Sequence, residues 1–225
     1  MAKLPELPIG LRLLLASQRL VPLAVKLPVV LQLGPQRVAQ LAPHVPDAQL
    51  HELILALPVD FLAQATTHLD PQLILATYLN LPGSLHLDVA RQLCEDRAFS
   101  TAARYAECLS AKQLKLLIFG INSPENVLQI ARHIQRMDLI VQALRTFSSR
   151  YLGLLTEAAL ADDNIAVAVQ VLSGLPLPRQ AEVCATLPST TLLELMPKLM
   201  AASPHLRDYL PERMFELVEF QPAPV

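Results

Sequence analysis

Apolar residues recur along this chain every three or four positions, in short runs closed by Pro, Gly or a small polar residue. The pattern predicts helices at about 35–42, 47–57, 59–68, 71–80, 84–95, 98–108, 111–119, 124–135, 137–147, 149–161, 164–173, 177–187, 190–200 and 206–218. It is clearest between residues 41 and 82, where a unit is written twice. Pro46, Asp47, Gln49, Leu50 and Leu53 are answered nearly in register by Pro71, Asp70, Gln72, Leu73 and Ala76, and the two units close on Leu57-Pro58 and Leu81-Pro82. Fainter echoes run from Leu109 to Ile121 and from Leu187 to Leu199. The intervals are irregular: 23 residues from Asp47 to Asp70, 40 on to Ser110 and 79 on to Ser189. A unit this short cannot bury its apolar face alone, so its neighbours must stack on it. The expected fold is all-α: an α-solenoid, or superhelix of short stacked helices, over 35–220. An atypical segment at 1–34 precedes it and a disordered tail at 221–225 follows.

The punctuation supports this reading. Ser123-Pro124-Glu125 offers a capping hydroxyl, a Pro whose missing N–H is harmless in the first turn, and an acid where the helix dipole favours one. Ser110, Asp138, Asp163 and Ser189 are further candidate caps, and Gly34, Gly83, Gly120 and Gly174 are candidate helix stops.

Composition changes the picture little. Of 225 residues, 52% are hydrophobic but only 4% aromatic, and Trp is absent, which suits many small helix–helix contacts. At this length one or two domains can bury enough surface without a metal or disulfide. Cys94, Cys108 and Cys184 sit within apolar helical patterns with no CxxC, and read as small buried hydrophobes in a reducing compartment.

Charge is more informative. The net value of −2 divides into blocks of +4 over residues 1–40, −5 over 41–110, +4 over 111–156 and −5 over 157–225. Alternating blocks favour registration of a charged protein partner or of a second copy. The second basic block carries Lys112, Lys115, Arg132, Arg136, Arg145 and Arg150, which are the candidate partner-binding residues. Arg132 and Arg136, sharing a helix face at i, i+4, would repel unless something anionic met them. Nucleic acid fits poorly, given a pI near 6.3, few aromatics to stack on bases and acidic blocks on either side.

The N-terminal segment offers a competing surface. Arg12, Arg19 and Lys26 recur every seven residues, so a continuous helix would present three cations among Leu and Val, the pattern of a segment lying on an anionic membrane. Pro22 and Pro28 interrupt that stripe, so the segment reads first as the initial layer of the stack. Arg12 and Arg19 leave no signal-peptide core, and the longest charge-free stretches, Pro71–Leu87 and Asn164–Pro178, are too short and too polar to span a bilayer. A cytoplasmic location is the corresponding expectation, with a membrane-peripheral one as the alternative.

The run LPVDFLAQATTHLDPQLILATYLNLP closes one helix on Leu-Pro and opens another on Leu-Asp-Pro about a dozen residues later. In this it resembles the cytosolic N-terminal superhelix of MgtE-type magnesium transporters, a module shared in outline with the middle region of flagellar motor-switch proteins. The resemblance spans residues 37–200 and implies stacked short helices with a docking or regulatory role. It does not imply magnesium transport, because the tandem regulatory domain and membrane helices of those transporters are not in this sequence. Their ion-sensing acids do not carry over either: Glu95-Asp96 and Asp162-Asp163 lie at helix ends, where capping and solvation account for them.

Catalytic patterns are missing. There is no GxSxG, no Gly-rich phosphate loop, no HExxH and no CxxC. His44, His51, His68 and His86 are each explained by positions at helix ends or beside Pro, where backbone or water satisfies them. The sequence thus points to a non-catalytic scaffold or protein-interaction module with no cofactor, metal or evident small-molecule substrate. A peripheral membrane protein is the alternative.

Overall fold

Four of the helical segments begin on a side chain that accepts from a free backbone N–H. The Ser110 hydroxyl accepts from the Gln113 amide while the Gln113 side chain accepts from the Ser110 N–H, a reciprocal cap. Ser123 and Ser148 accept from the amides of Asn126 and Tyr151, and Asp70 accepts from that of Gln72 at 2.9 Å. The computed structural model describes residues 22–212 and Met214, and among these there are helices and turns but no strand. The α-helices are α1 (Leu23–Leu33), α2 (Pro35–Leu41), α3 (Asp47–Ala56), α4 (Val59–Thr67), α5 (Leu75–Leu79), α6 (Gly83–Glu95) and α7 (Phe99–Ala106). They continue with α8 (Ala111–Ile121), α9 (Pro124–Ala131), α10 (Met137–Leu144), α11 (Ser149–Ala161), α12 (Ile165–Ser173), α13 (Leu177–Cys184) and α14 (Ser189–Ala202). Short 3₁₀ turns occupy Ala42–His44, Pro71–Ile74 and Pro204–Tyr209.

The chain divides into two compact units, Met1–Leu109 and Ser110–Val225. Within each, a helix packs mainly on the one two places along, which makes two rows. In the first unit α2, α4 and α6 form one row, and α1, α3 and α5 the other. In the second, α8, α10, α12 and α14 form one row, and α9, α11, α13 and the 204–209 turn the other. This is the stacking expected of short helices that each need neighbours to cover an apolar face.

The repeat has a longer period than the doubled unit suggests. Asp47 and Asp70 begin different parts of it: Asp47 is the first residue of α3 and accepts from the Thr77 hydroxyl at 2.9 Å, whereas Asp70 caps the 71–74 turn. The positions preceding equivalent helices are Gly34, Asp70, Ser110, Ser148 and Pro188, at intervals of 36, 40, 38 and 40 residues. Each interval holds three helical segments. The third helices, α4, α7, α10 and α13, bury the same columns: Leu62, Ala102, Ile140 and Gln180; Ala65, Tyr105, Ala143 and Val183; and the closing Leu69, Leu109, Phe147 and Leu187. By register α1 is one more third helix, but Val29, in the column of Ala65, Tyr105, Ala143 and Val183, is 48% exposed.

Other boundaries also differ from expectation. The predicted 124–135 helix stops at Ala131. Gly83 starts α6, and Gly120 lies inside α8, whose left-handed closing residue is Asn122 at φ +50°. Gly34 is a helix end at φ +78°, while Gly174 ends α12 in ordinary right-handed geometry. Asp138 lies in the first turn of α10, and Asp163 and Ser189 flank rather than occupy their cap positions. Pro28 lies within α1, which continues through it. The tail at 221–225 and most of the 206–218 helix's second half fall outside the described residues.

Candidate functional site

Helix α8, AKQLKLLIFGI, carries more apolar residues than one face can bury. Leu114, Leu117 and Ile118 point into the second unit. Leu116 and Phe119 are left 62% and 74% exposed, the two most exposed large apolar side chains among the described residues. Lys112, Leu116 and Phe119 follow one another at i, i+4 and i+7, so they line one outward stripe, with Lys115 beside it. Neither lysine forms an ion pair among the described residues. The stripe is therefore an apolar strip edged by two unengaged cations, on a helix whose start is fixed by the Ser110–Gln113 cap.

The six basic residues expected to form one patch do not share an element. Arg132 caps the end of α9 and pairs with Asp162 at 3.0 Å, with Gln129 bonded to the same carboxylate. Arg136 precedes α10 and lies 3.6 Å from Asp138, so the shared helix face of Arg132 and Arg136 does not exist. Arg145 follows α10, and Arg150 lies in the first turn of α11; both are exposed without an ion pair among the described residues. Lys26 lines the cleft between α1 and α3 in company with Glu52. Arg12 and Arg19 lie outside the described residues.

A second feature of the same unit was not anticipated. A groove of about 610 Å³ is bordered by the start of α9, the outer half of α11 and the start of α14. Glu125, Glu157 and Glu194 line it, with the exposed Leu154 and with Pro124 and Pro188. The Ser123 hydroxyl donates to Glu125 at 2.9 Å, and none of the three carboxylates meets a cation among the described residues. In the sequence these acids stand 32 and 37 residues apart, and only the spacing of the three-helix repeat could have hinted that they converge.

Elsewhere the polar interior is structural. Tyr78, Tyr105 and His86 cluster in the first unit, the two phenols donating to the Tyr105 and Leu69 carbonyls. Burial pushes the thiols of Cys94 and Cys184 up to about 11, and both remain free. Glu95-Asp96 and Asp162-Asp163 belong to no group of three possible metal ligands, and no such group occurs among the described residues. No helix among them is long and apolar enough to cross a membrane. No known protein family, curated protein or solved structure matches the chain.

Proposed function

We propose that this chain is a protein-docking module that receives an acidic, partly apolar surface of its partner on the outward stripe of α8. The observation that carries the reading is Phe119, 74% exposed beside Leu116 and flanked by Lys112 and Lys115. A large aromatic side chain kept in water contributes nothing to folding, and at an interface it is the kind of anchor that dominates binding. The lysines would select an anionic counterpart and speed encounter with it. The resemblance to the MgtE-type N-terminal superhelix implies the same kind of role, and the module would work in the cytoplasm. The sequence pattern gave Lys112 and Lys115 as partner-binding residues, and they keep that assignment. Arg132 and Arg136 are tied to carboxylates of their own unit and are secondary.

Site-specific photocrosslinking from position 119 in living cells tests this. An adduct with a polypeptide is expected, and its yield should fall about tenfold or more when Lys112→Glu and Lys115→Glu are introduced. No adduct, or one that also forms from the exposed Gln142 and ignores the charge reversal, overturns the reading. Co-sedimentation with anionic vesicles that is lost on Phe119→Ser would assign the stripe to a membrane surface instead.

A further inference from the structure

The second unit carries two surfaces of opposite character. One is the α8 stripe, apolar with two cations; the other is the groove between α9, α11 and α14, which holds three carboxylates and Leu154. Neither charge set is engaged within the described residues. Their chemistry matches component by component: Lys112 and Lys115 against Glu125, Glu157 and Glu194, and Phe119 and Leu116 against Leu154 and the flanking prolines. The groove is open and large enough to admit an aromatic side chain, at about 610 Å³.

Resting on the docking reading above, we propose that the occupant of the α8 stripe is the acidic groove of a second copy of this chain. Phe119 seats beside Leu154, and the two lysines meet Glu157 and Glu194 at the rim. Contacts of this kind draw most of their strength from charge at low ionic strength and weaken as salt rises. If both pairs form at once the product is a two-fold dimer; if only one forms, copies add head to tail. The acidic block at 41–110, which the charge pattern alone offers as the complement, is not needed.

Sedimentation of the full chain over a concentration series, at low and high salt, tests this with two charge-reversed variants. The wild type should exceed its 24.7 kDa monomer mass at low salt and return towards it at high salt. Lys112→Glu with Lys115→Glu, and separately Glu157→Lys with Glu194→Lys, should each weaken association about tenfold or more. An equimolar mixture of the two variants should recover it, because each then offers the charge that the other lacks. A wild type that stays monomeric throughout, association that survives either reversal, or a mixture that stays dissociated overturns the proposal. The milder Phe119→Ser and Glu157→Gln, Glu194→Gln variants serve if a reversed chain loses its helical circular dichroism. A monomeric chain that still gives the position-119 adduct with a different polypeptide removes the second copy as partner and leaves the docking reading intact.

Discussion

His86 shows how one side chain ties fold to conditions. It is buried on α6 with its ring 4.6 Å from that of Tyr78, and its Nε2 donates to the Tyr78 carbonyl at 3.0 Å. Burial holds its pKa below the ordinary histidine value, and the bond to the Tyr78 carbonyl pulls more weakly the other way. The unfolded chain therefore takes up the proton at a higher pH than the folded one. The stabilisation is complete above the unfolded value of about 6.5 and is lost as pH falls from there towards the folded pKa. Urea unfolding at pH 7.5 and 5.5 should show this loss, and His86→Gln, which can still donate to the carbonyl, should flatten that part of the pH dependence. An unchanged slope would mean that other groups carry it.

Between elements, close approach rather than propensity sets the packing of α11 on α13. A Cβ on Gly153 would lie 2.6 Å from the Thr186 hydroxyl oxygen, which itself donates to the Val183 carbonyl at 2.7 Å. In a bare helix Gly→Ala is favourable by about 1 kcal/mol. Here Gly153→Ala is expected to destabilise by about 1–3 kcal/mol, since Thr186 must give up its bond or the helices must part. Gly153→Ala with Thr186→Ala should recover most of the loss, and chemical denaturation of the single and double variants measures that coupling. Additive effects would show that the contact is not what limits this helix. At the end of α9, Arg132 pairs with Asp162 at the end of α11, a tertiary bond that local periodicity cannot register.

For the whole molecule, the division at Leu109 and Ser110 has a consequence for folding. Each unit holds its own rows of mutually packed helices, and the second has its own fully buried core in Leu152, Leu172, Leu195, Met196, Leu199 and Leu206. Residues 110–225 expressed alone should therefore keep their helical circular dichroism and unfold cooperatively. A fragment without a sigmoidal transition would show that the boundary is not one of stability.

The all-α class, the stacking of short helices and most helix positions were legible in the sequence, because apolar periodicity and cap chemistry act within a few residues of each other. The true period was only half legible. Ser110 and Ser189 mark the start of equivalent helices, but the Asp47–Asp70 match joined helices of different kinds, since Leu, Pro and Asp punctuate both. Lys112 and Lys115 were found from charge alone, while only packing shows that Phe119 and Leu116, within the same apolar run, lie outside. The tertiary structure alone decided that Arg132 is engaged by Asp162 and that Glu125, Glu157 and Glu194 face one groove. Those residues lie about 30 or more positions apart or on separate helices, and how stacked helices are turned towards one another is fixed by side-chain packing, which no local pattern encodes.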